Sequence, residues 1–303
     1  MKKFLAILLV LVLSLAACSL ESPEKKKGDQ SADKTEEMTI GVSLSTLNNP
    51  FFVSIKDAIE KEAKTQGYKV KVVDAQDDSA KQANDIDDLI QQKVDYLIIN
   101  PTDSAAIASA VENANGENIP VITLDRSVDS GDVASFIASD NVEGGKMAAD
   151  FIVQKVGKKA QVAELEGVPG ASATRERGKG FHQVADKELQ VVAKQTAKFN
   201  RAEGLNVAQN ILQSNPDIKA IFAHNDEMAL GAIEAIGNKD ILVVGFDGND
   251  DALKSIKAGN LDATIAQQPA LMGEEAVKTV TSLKDDKKVE KEVKVPLKLV
   301  KQQ

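Results

Sequence analysis

Tryptophan is absent from this chain, and cysteine, tyrosine and histidine nearly so: 303 residues hold one Cys, two Tyr and two His beside nine Phe. One cysteine excludes a disulfide within the chain. His182 and His224 lie far apart, with no Cys, Glu or His at metal-ligand spacing, which argues against a zinc site. Phosphate signatures are missing as well. GVPGASATRERGKG, Gly167 to Gly180, contains neither G-x-x-x-x-G-K-[ST] nor G-x-G-x-x-G, and Ser172 lacks the glycines of a G-x-S-x-G elbow. DGNDDALKS, from Asp247, begins like a calcium loop, but Ala252 stands where the turn needs Gly and Ala258 where the ion needs Glu. Neither metal nor cofactor is expected. Acids exceed bases by 46 to 37, for a formal charge of −9; such a surface repels nucleic acid and anionic lipid, so no nucleic-acid partner is expected.

The apolar run Phe4 to Leu15 is shorter than the roughly 20 residues of a spanning helix. Lys2 and Lys3 precede it and Leu15-Ala16-Ala17-Cys18 follows, the pattern of a signal peptide (residues 1–17) ending in a lipobox, with lipid expected on Cys18. Its removal takes two lysines and no acid, so −9 becomes −11. Ser19 to Glu37 has one large apolar side chain, Leu20, too little to offset the entropy of ordering. Residues 18–37 therefore read as a lipidated flexible tether, reaching on the order of 25 Å. The expected location is extracytoplasmic, anchored to the cell membrane.

From Met38 onward, β-branched runs (MTIGVSLS, YKVKVVDA, VDYLIIN, VITLD, SFIASD, QVAELEG, AIFAHND, ILVVGFD, ATIAQQ) alternate with helical patterns. Such alternation implies α/β architecture, with parallel sheets covered by helices on both faces. About ten strands are many for one open sheet and comfortable for two, so two doubly wound lobes are expected. No Gly/Ser- or Pro-rich linker separates them, and composition alone does not locate their boundary.

Ligands of parallel α/β sheets lie beyond the carboxyl ends of the strands. The residues there are Asn100, Asp125 and Arg126, Asp140, Asn225 and Asp226, Phe246 and Asp247, and Gln267. Any one of them is also a turn former or helix cap, and Asp140 and Asp226 read most simply as caps. Together they form the set that a neutral polyol requires: carboxylates accept from hydroxyls, amides donate and accept, and a guanidinium supplies a planar fork. Sugar C–H faces need flat apolar partners. STLNNPFFVSIKDAIEKEAK supplies two, because Asn49 caps and Pro50 starts a helix whose Phe52, Ile55, Ile59 and Ala63 form a core stripe. Phe51, about 100° away, cannot share the centre of that stripe. Both rings lie near a strand end, where a ligand would rest. Arg175 and Arg177 are further candidates for hydroxyl contacts. Paired acids such as Asp125 and Asp247 suit glycoside hydrolysis in principle, but an arginine beside Asp125 holds it ionised, as an acceptor rather than a proton donor. The chain reads as a binder and not an enzyme.

In order, STLNNPFF, INPTDS, VITLDR, IASDN, ATRERG, NDEMALGA, VVGFDG and ATIAQ resemble the periplasmic ribose-binding proteins, from about Met38 to the terminus. The resemblance implies two Rossmann-like lobes joined by a three-segment hinge, of the periplasmic binding protein type I class. Crossovers near Ser139, Gln267 and Pro296 would make residues 38–139 and 268–296 the N-terminal lobe, and 140–267 and 297–303 the C-terminal one. It implies hydrogen bonding by Asn49, Asn100, Asp125, Arg126, Arg177, Asn225, Asp247 and Gln267, with Phe51, Phe52, Phe199 and Phe246 enclosing the ring. Phe199, and the choice of Arg177 over Arg175, come from the resemblance alone. Cleft closure over a monosaccharide, D-ribose first, and delivery to an ABC transporter permease by a monomer are the implied function. The alternative is a tethered sensory module for allose or a furanose-like signal, partnered by a chemoreceptor.

Overall fold

A computed structural model describes residues 37–302. The signal-peptide, lipidation and tether readings, save Glu37, fall outside the described residues. The first half runs β1 (Thr39–Leu44), α1 (Pro50–Gln66), β2 (Lys69–Asp74), α2 (Ser79–Gln91), β3 (Tyr96–Ile99), α3 (Ala108–Gly116), β4 (Val121–Leu124) and β5 (Ser135–Ser139). The second runs α4 (Asn141–Val156), β6 (Gln161–Glu166), α5 (Ser172–Glu188), β7 (Gln190–Thr196), α6 (Arg201–Ser214), β8 (Ala220–Ala223), α7 (Asp226–Ile236), β9 (Leu242–Asp247), α8 (Asp250–Ala258) and β10 (Ala263–Ala266). Helix α9 (Pro269–Lys284), β11 (Glu292–Val295) and β12 (Lys298–Lys301) close the chain.

These strands form two six-stranded sheets, ordered β11-β5-β4-β3-β1-β2 and β12-β10-β9-β8-β6-β7. Every pairing is parallel except β12 against β10. Central strands such as VITL and AIFA are buried along their whole length, as expected where helices cover both faces. In the first sheet one face packs on α1 and α9, through Ile55, Ile59, Met272 and Val277, and the other on α2 and α3, through Ile86, Leu89 and Val111. In the second, α4 and α5 cover one face, through Phe151 and Phe181, and α6, α7 and α8 the other, through Ile211, Met228 and Ile256.

The chain passes between the sheets three times: from β5 into α4, from β10 into α9, and from β11 into β12. Helix starts follow the local chemistry: Asn49 accepts from Phe51 N at 2.9 Å, Asp78 caps α2, Asp140 α4, Asn200 α6 and Asn225 α7. Gly67, at φ 74°, closes α1 in the left-handed conformation.

Three strands, β7, β11 and β12, are absent from the nine apolar runs read in the sequence. All three lie at sheet edges and are rich in Lys, Gln and Glu. Edge strands tolerate such residues because one side has no strand to pair with. The glycine-rich stretch around ATRERG is likewise a 17-residue helix, α5. Its glycines serve packing, since a Cβ at Gly180 would stand 1.9 Å from the Val142 carbonyl oxygen of α4.

Candidate functional site

In each sheet the strand order reverses direction after its first strand, between β1 and β3 in one and between β6 and β8 in the other. A crevice opens at such a switch point, beyond the carboxyl ends. Here the two crevices face each other around one small cavity of about 10 Å³, room for about one water molecule, so the two walls stand close together. Asn49, Phe51, Phe52, Asp125 and Arg126 line it from the first sheet; Ala173, Arg177, Phe199, Asn225 and Asp247 line it from the second.

On the first wall, Phe51 and Phe52 meet edge to face, ring centres 5.2 Å apart. Both are buried and both belong to the core cluster as well as to the cavity. Phe51 joins the core beside Phe52, because the stripe of α1 broadens at its first turn. The Arg126 guanidinium lies 5.1 Å from the Phe52 ring and 5.1 Å from that of Phe199, in a sandwich across the two walls. Its Nη1 donates to the Pro101 carbonyl at 3.1 Å, and its Nε is 3.5 Å from Asp125 without hydrogen-bond geometry. Burial lowers the Arg126 pKa, against the opposing charge of Asp125, and an arginine stays charged regardless. Asn100 stands behind this wall. Its oxygen accepts from Ser45 N at 3.3 Å and its amide donates to the Leu124 carbonyl at 3.0 Å, with Asp125 Oδ2 at 3.5 Å. Those contacts orient Asp125, and Asn100 is not among the cavity-lining residues.

On the second wall, Arg177 occupies the centre. Its Nε donates to Asn141 at 2.9 Å, its Nη1 to the His224 carbonyl, and its guanidinium lies 3.8 Å above the Phe246 ring. Asp125 at 3.8 Å and Asp247 at 3.7 Å flank it, so one cation faces an acid from each wall. Asp247 accepts from Gln267 Nε2 at 2.9 Å. Burial raises the Asp247 pKa well above the carboxylate range, with the Arg177 charge pulling the other way. Phe246 lies beneath Arg177 and Gln267 behind Asp247; neither is among the lining residues. Asn225 caps α7 through Met228 N and donates to the Phe199 carbonyl at 3.1 Å.

Three lining residues that are not glycine, Asp125 (φ 62°), Phe199 (φ 59°) and Asp247 (φ 119°), hold backbone conformations of positive φ. Such strain persists where surrounding structure imposes it, commonly at functional sites. Two buried polar atoms without a protein partner belong to lining residues, Asp125 Oδ1 and Arg126 Nε, and Gln267 Oε1 lies behind them. Native interiors satisfy nearly all such atoms, so this set is suited to a ligand rich in hydroxyls.

Beyond the cavity, the walls touch through Ser104 N to the Gly170 carbonyl (3.0 Å), Ser127 N to Ser172 Oγ (2.9 Å) and Arg175 to Asp129 (3.3 Å). Arg175 thus joins the rim, half exposed, while Arg177 is 3% exposed inside. Asp226 is not a cap, that place being taken by Asn225: fully buried, it accepts from Gly248 N, Asn249 N and Thr264 Oγ1 at 2.7–2.8 Å, fixing the turn that carries Asp247. Sequence reading missed Ala173, Asn141 and Asn249, the last 3.5 Å from Asn49 across the cavity. Only Asn141 carried a signal, as the residue after strand-end Asp140. A wider cavity outside α5, lined by Glu166, Arg175, Lys179, His182 and Lys194, has its Arg175 and Lys194 already paired with acids; convergent buried groups favour the enclosed one. Among the described residues no cluster of His, Cys, Asp and Glu could hold a metal ion, and no helix is long and apolar enough to cross a membrane.

Residues 40–288 match the model of the periplasmic binding protein domain. The chain is 61% identical to the ribose import binding protein RbsB of Bacillus subtilis, over 302 residues and 99% of each chain. It is 50% identical to that of Escherichia coli over 274 residues, 89% of this chain and 93% of the relative. Among solved structures, the Caulobacter myo-inositol binding protein bound to myo-inositol superposes with a TM-score of 0.83 at 36% identity, covering 87% of this chain and 93% of that one.

Proposed function

The chain belongs to the periplasmic binding protein domain family, and from that membership we propose that it captures D-ribose in the cavity between its two sheets and delivers it to the permease of an ABC importer. The observation that carries the reading is Arg177, set between Asp125 of one wall and Asp247 of the other. A sugar hydroxyl that bonds to any of these three engages both walls at once. The sugar then stabilises the closed arrangement by contacts that an open one lacks. Asn49, Asp125, Arg126, Arg177, Asn225 and Asp247 contact hydroxyls; Phe51, Phe52 and Phe199 cover C–H faces. Asn100, Gln267 and Phe246 act from behind, holding Asp125, Asp247 and Arg177.

The two lobes are residues 38–139 with 268–296, and 140–267 with 297–303. The Lys2-Lys3, Phe4 to Leu15 and Cys18 pattern supports export and lipid anchoring; incorporation of labelled fatty acid that Cys18→Ala abolishes is the check. The importer role is one of binding, with no bond made or broken. A thermal-shift panel of ribose, allose, galactose and arabinose tests the specificity, since a ligand at about 100 times its Kd adds about 2.7 kcal/mol to stability. Ribose should give the largest shift. A larger shift with allose or galactose would reject ribose as the cargo.

A further inference from the structure

Beneath Arg177 lies a partly buried cluster none of whose residues lines the cavity. Glu164 on β6, fully buried, receives His182 Nε2 of α5 on one oxygen and His224 Nε2, at the end of β8, on the other, both at 2.8 Å. His182 Nδ1 is 2.6 Å from Asp186. The His224 ring is fixed by Glu164 and lies 5.1 Å from the Phe222 ring; the carbonyl of the same residue accepts from Arg177 Nη1, and the next residue is the cavity's Asn225. We propose that Glu164 is a positioning residue for sugar binding: it holds His224, His224 holds the Arg177 guanidinium, and the charge on His182 couples this seat to pH. The sugar-binding part rests on the ribose reading above; the seating of Arg177 does not.

Burial works against ionisation of Glu164, but hydrogen bonds from both histidines and the charge on His182 outweigh it and pull the carboxyl down to about 2. The bond to Glu164, opposed by partial burial and aided by Asp186, raises His182 to about 9. Burial lowers His224, which is therefore the neutral donor. The other charged groups facing the cluster are Glu166 of β6, Lys194 of β7, and Arg177 and Lys179 of α5. Helix α4 meets α5 through Val142 and Gly145.

The experiment has two arms. In calorimetry, Glu164→Gln should weaken ribose binding at least tenfold at pH 7. Wild-type affinity should be level from pH 6 to 8 and fall at least threefold by pH 10, and His182→Gln should remove that slope. In the sugar-free protein, the Nε–H resonance of Arg177, assigned with Arg177→Lys, should move in both Glu164→Gln and His182→Gln and move in wild type as pH passes about 9. An unmoved resonance overturns the proposal whatever sugar binds. So does a pH slope shared equally by wild type and His182→Gln. A moved resonance with no ribose binding at any pH leaves the seat standing and removes ribose as the cargo.

Discussion

The two walls of the cavity share a topology and differ in how each holds its arginine. Arg126 follows a strand end directly, beside an Asp125 at positive φ, and is gripped by two rings and one carbonyl. Arg177 projects from the second turn of a helix and is held by Asn141, the His224 carbonyl and the face of Phe246. The first arrangement depends on local backbone geometry; the second depends on three elements remote in sequence. The second wall also carries more buried ionisable groups, Glu164, His224, Asp226 and Asp247. One framework can thus place a cation at a crevice either by turn geometry or by a supporting network, and only the network makes the site sensitive to pH.

The strongest way to break this comparison is Arg177→Ala. It leaves Asp125 and Asp247 without their shared cation, so ribose affinity measured by calorimetry should fall at least 100-fold, about 3 kcal/mol. A loss no larger than that of Arg126→Ala would mean that the two walls contribute alike. Next comes the acid limb of stability. The unfolded carboxyl of Glu164 titrates near 4.5 and the folded one at about 2, so its stabilisation is present above pH 4.5 and is lost as pH falls towards 2, about 3 kcal/mol in all. Urea midpoints of the sugar-free protein should show this decline, and Glu164→Gln should lack it. Asp226 has the opposite sign: burial, against donors from Thr264, Asn249 and Gly248, raises it to about 7, so its contribution is full below about pH 3.9 and diminishes as pH rises to 7. Asp125→Ala should leave the fold intact and weaken ribose by about 2 kcal/mol, because the hydroxyls lose an acceptor and Arg126 and Arg177 lose a nearby countercharge; an unchanged affinity rejects its role. Smallest is Arg175→Ala. Its pair with Asp129 is half exposed, and such pairs contribute about 0–1 kcal/mol, so affinity should change less than fivefold.

Much of the fold could be read in the sequence. Strands buried on both faces leave uninterrupted β-branched runs, and helices leave caps such as Asn49 and Asp78. Strands β7, β11 and β12 could not be read, because edge pairing is set by a neighbouring strand and not by the residues themselves. Helix α5 was hidden by Gly178 and Gly180, whose low helix propensity is overridden by packing, Gly180 closely against α4 and Gly178 beside Glu164 and His224. For the cavity, position after a strand identified Asp125, Arg126, Asn225 and Asp247 as candidates, since parallel sheets present those residues on one side. Position could not separate a residue facing the cavity from one behind it: Asn100 and Gln267 end strands in the same way and face backward, towards Asp125 and Asp247.

By itself, then, the order of residues determined that the chain forms two helix-covered parallel sheets with polar groups at their carboxyl ends, because burial on both faces and the capping of helices are local demands. Which of those groups meet, and which histidines share a carboxylate, only the tertiary structure decided. Phe199 approaches Arg126 from the other wall, and Glu164 lies 18 residues from one histidine and 60 from the other. Contacts of that kind come from the packing of whole elements, and no spacing along the chain encodes them.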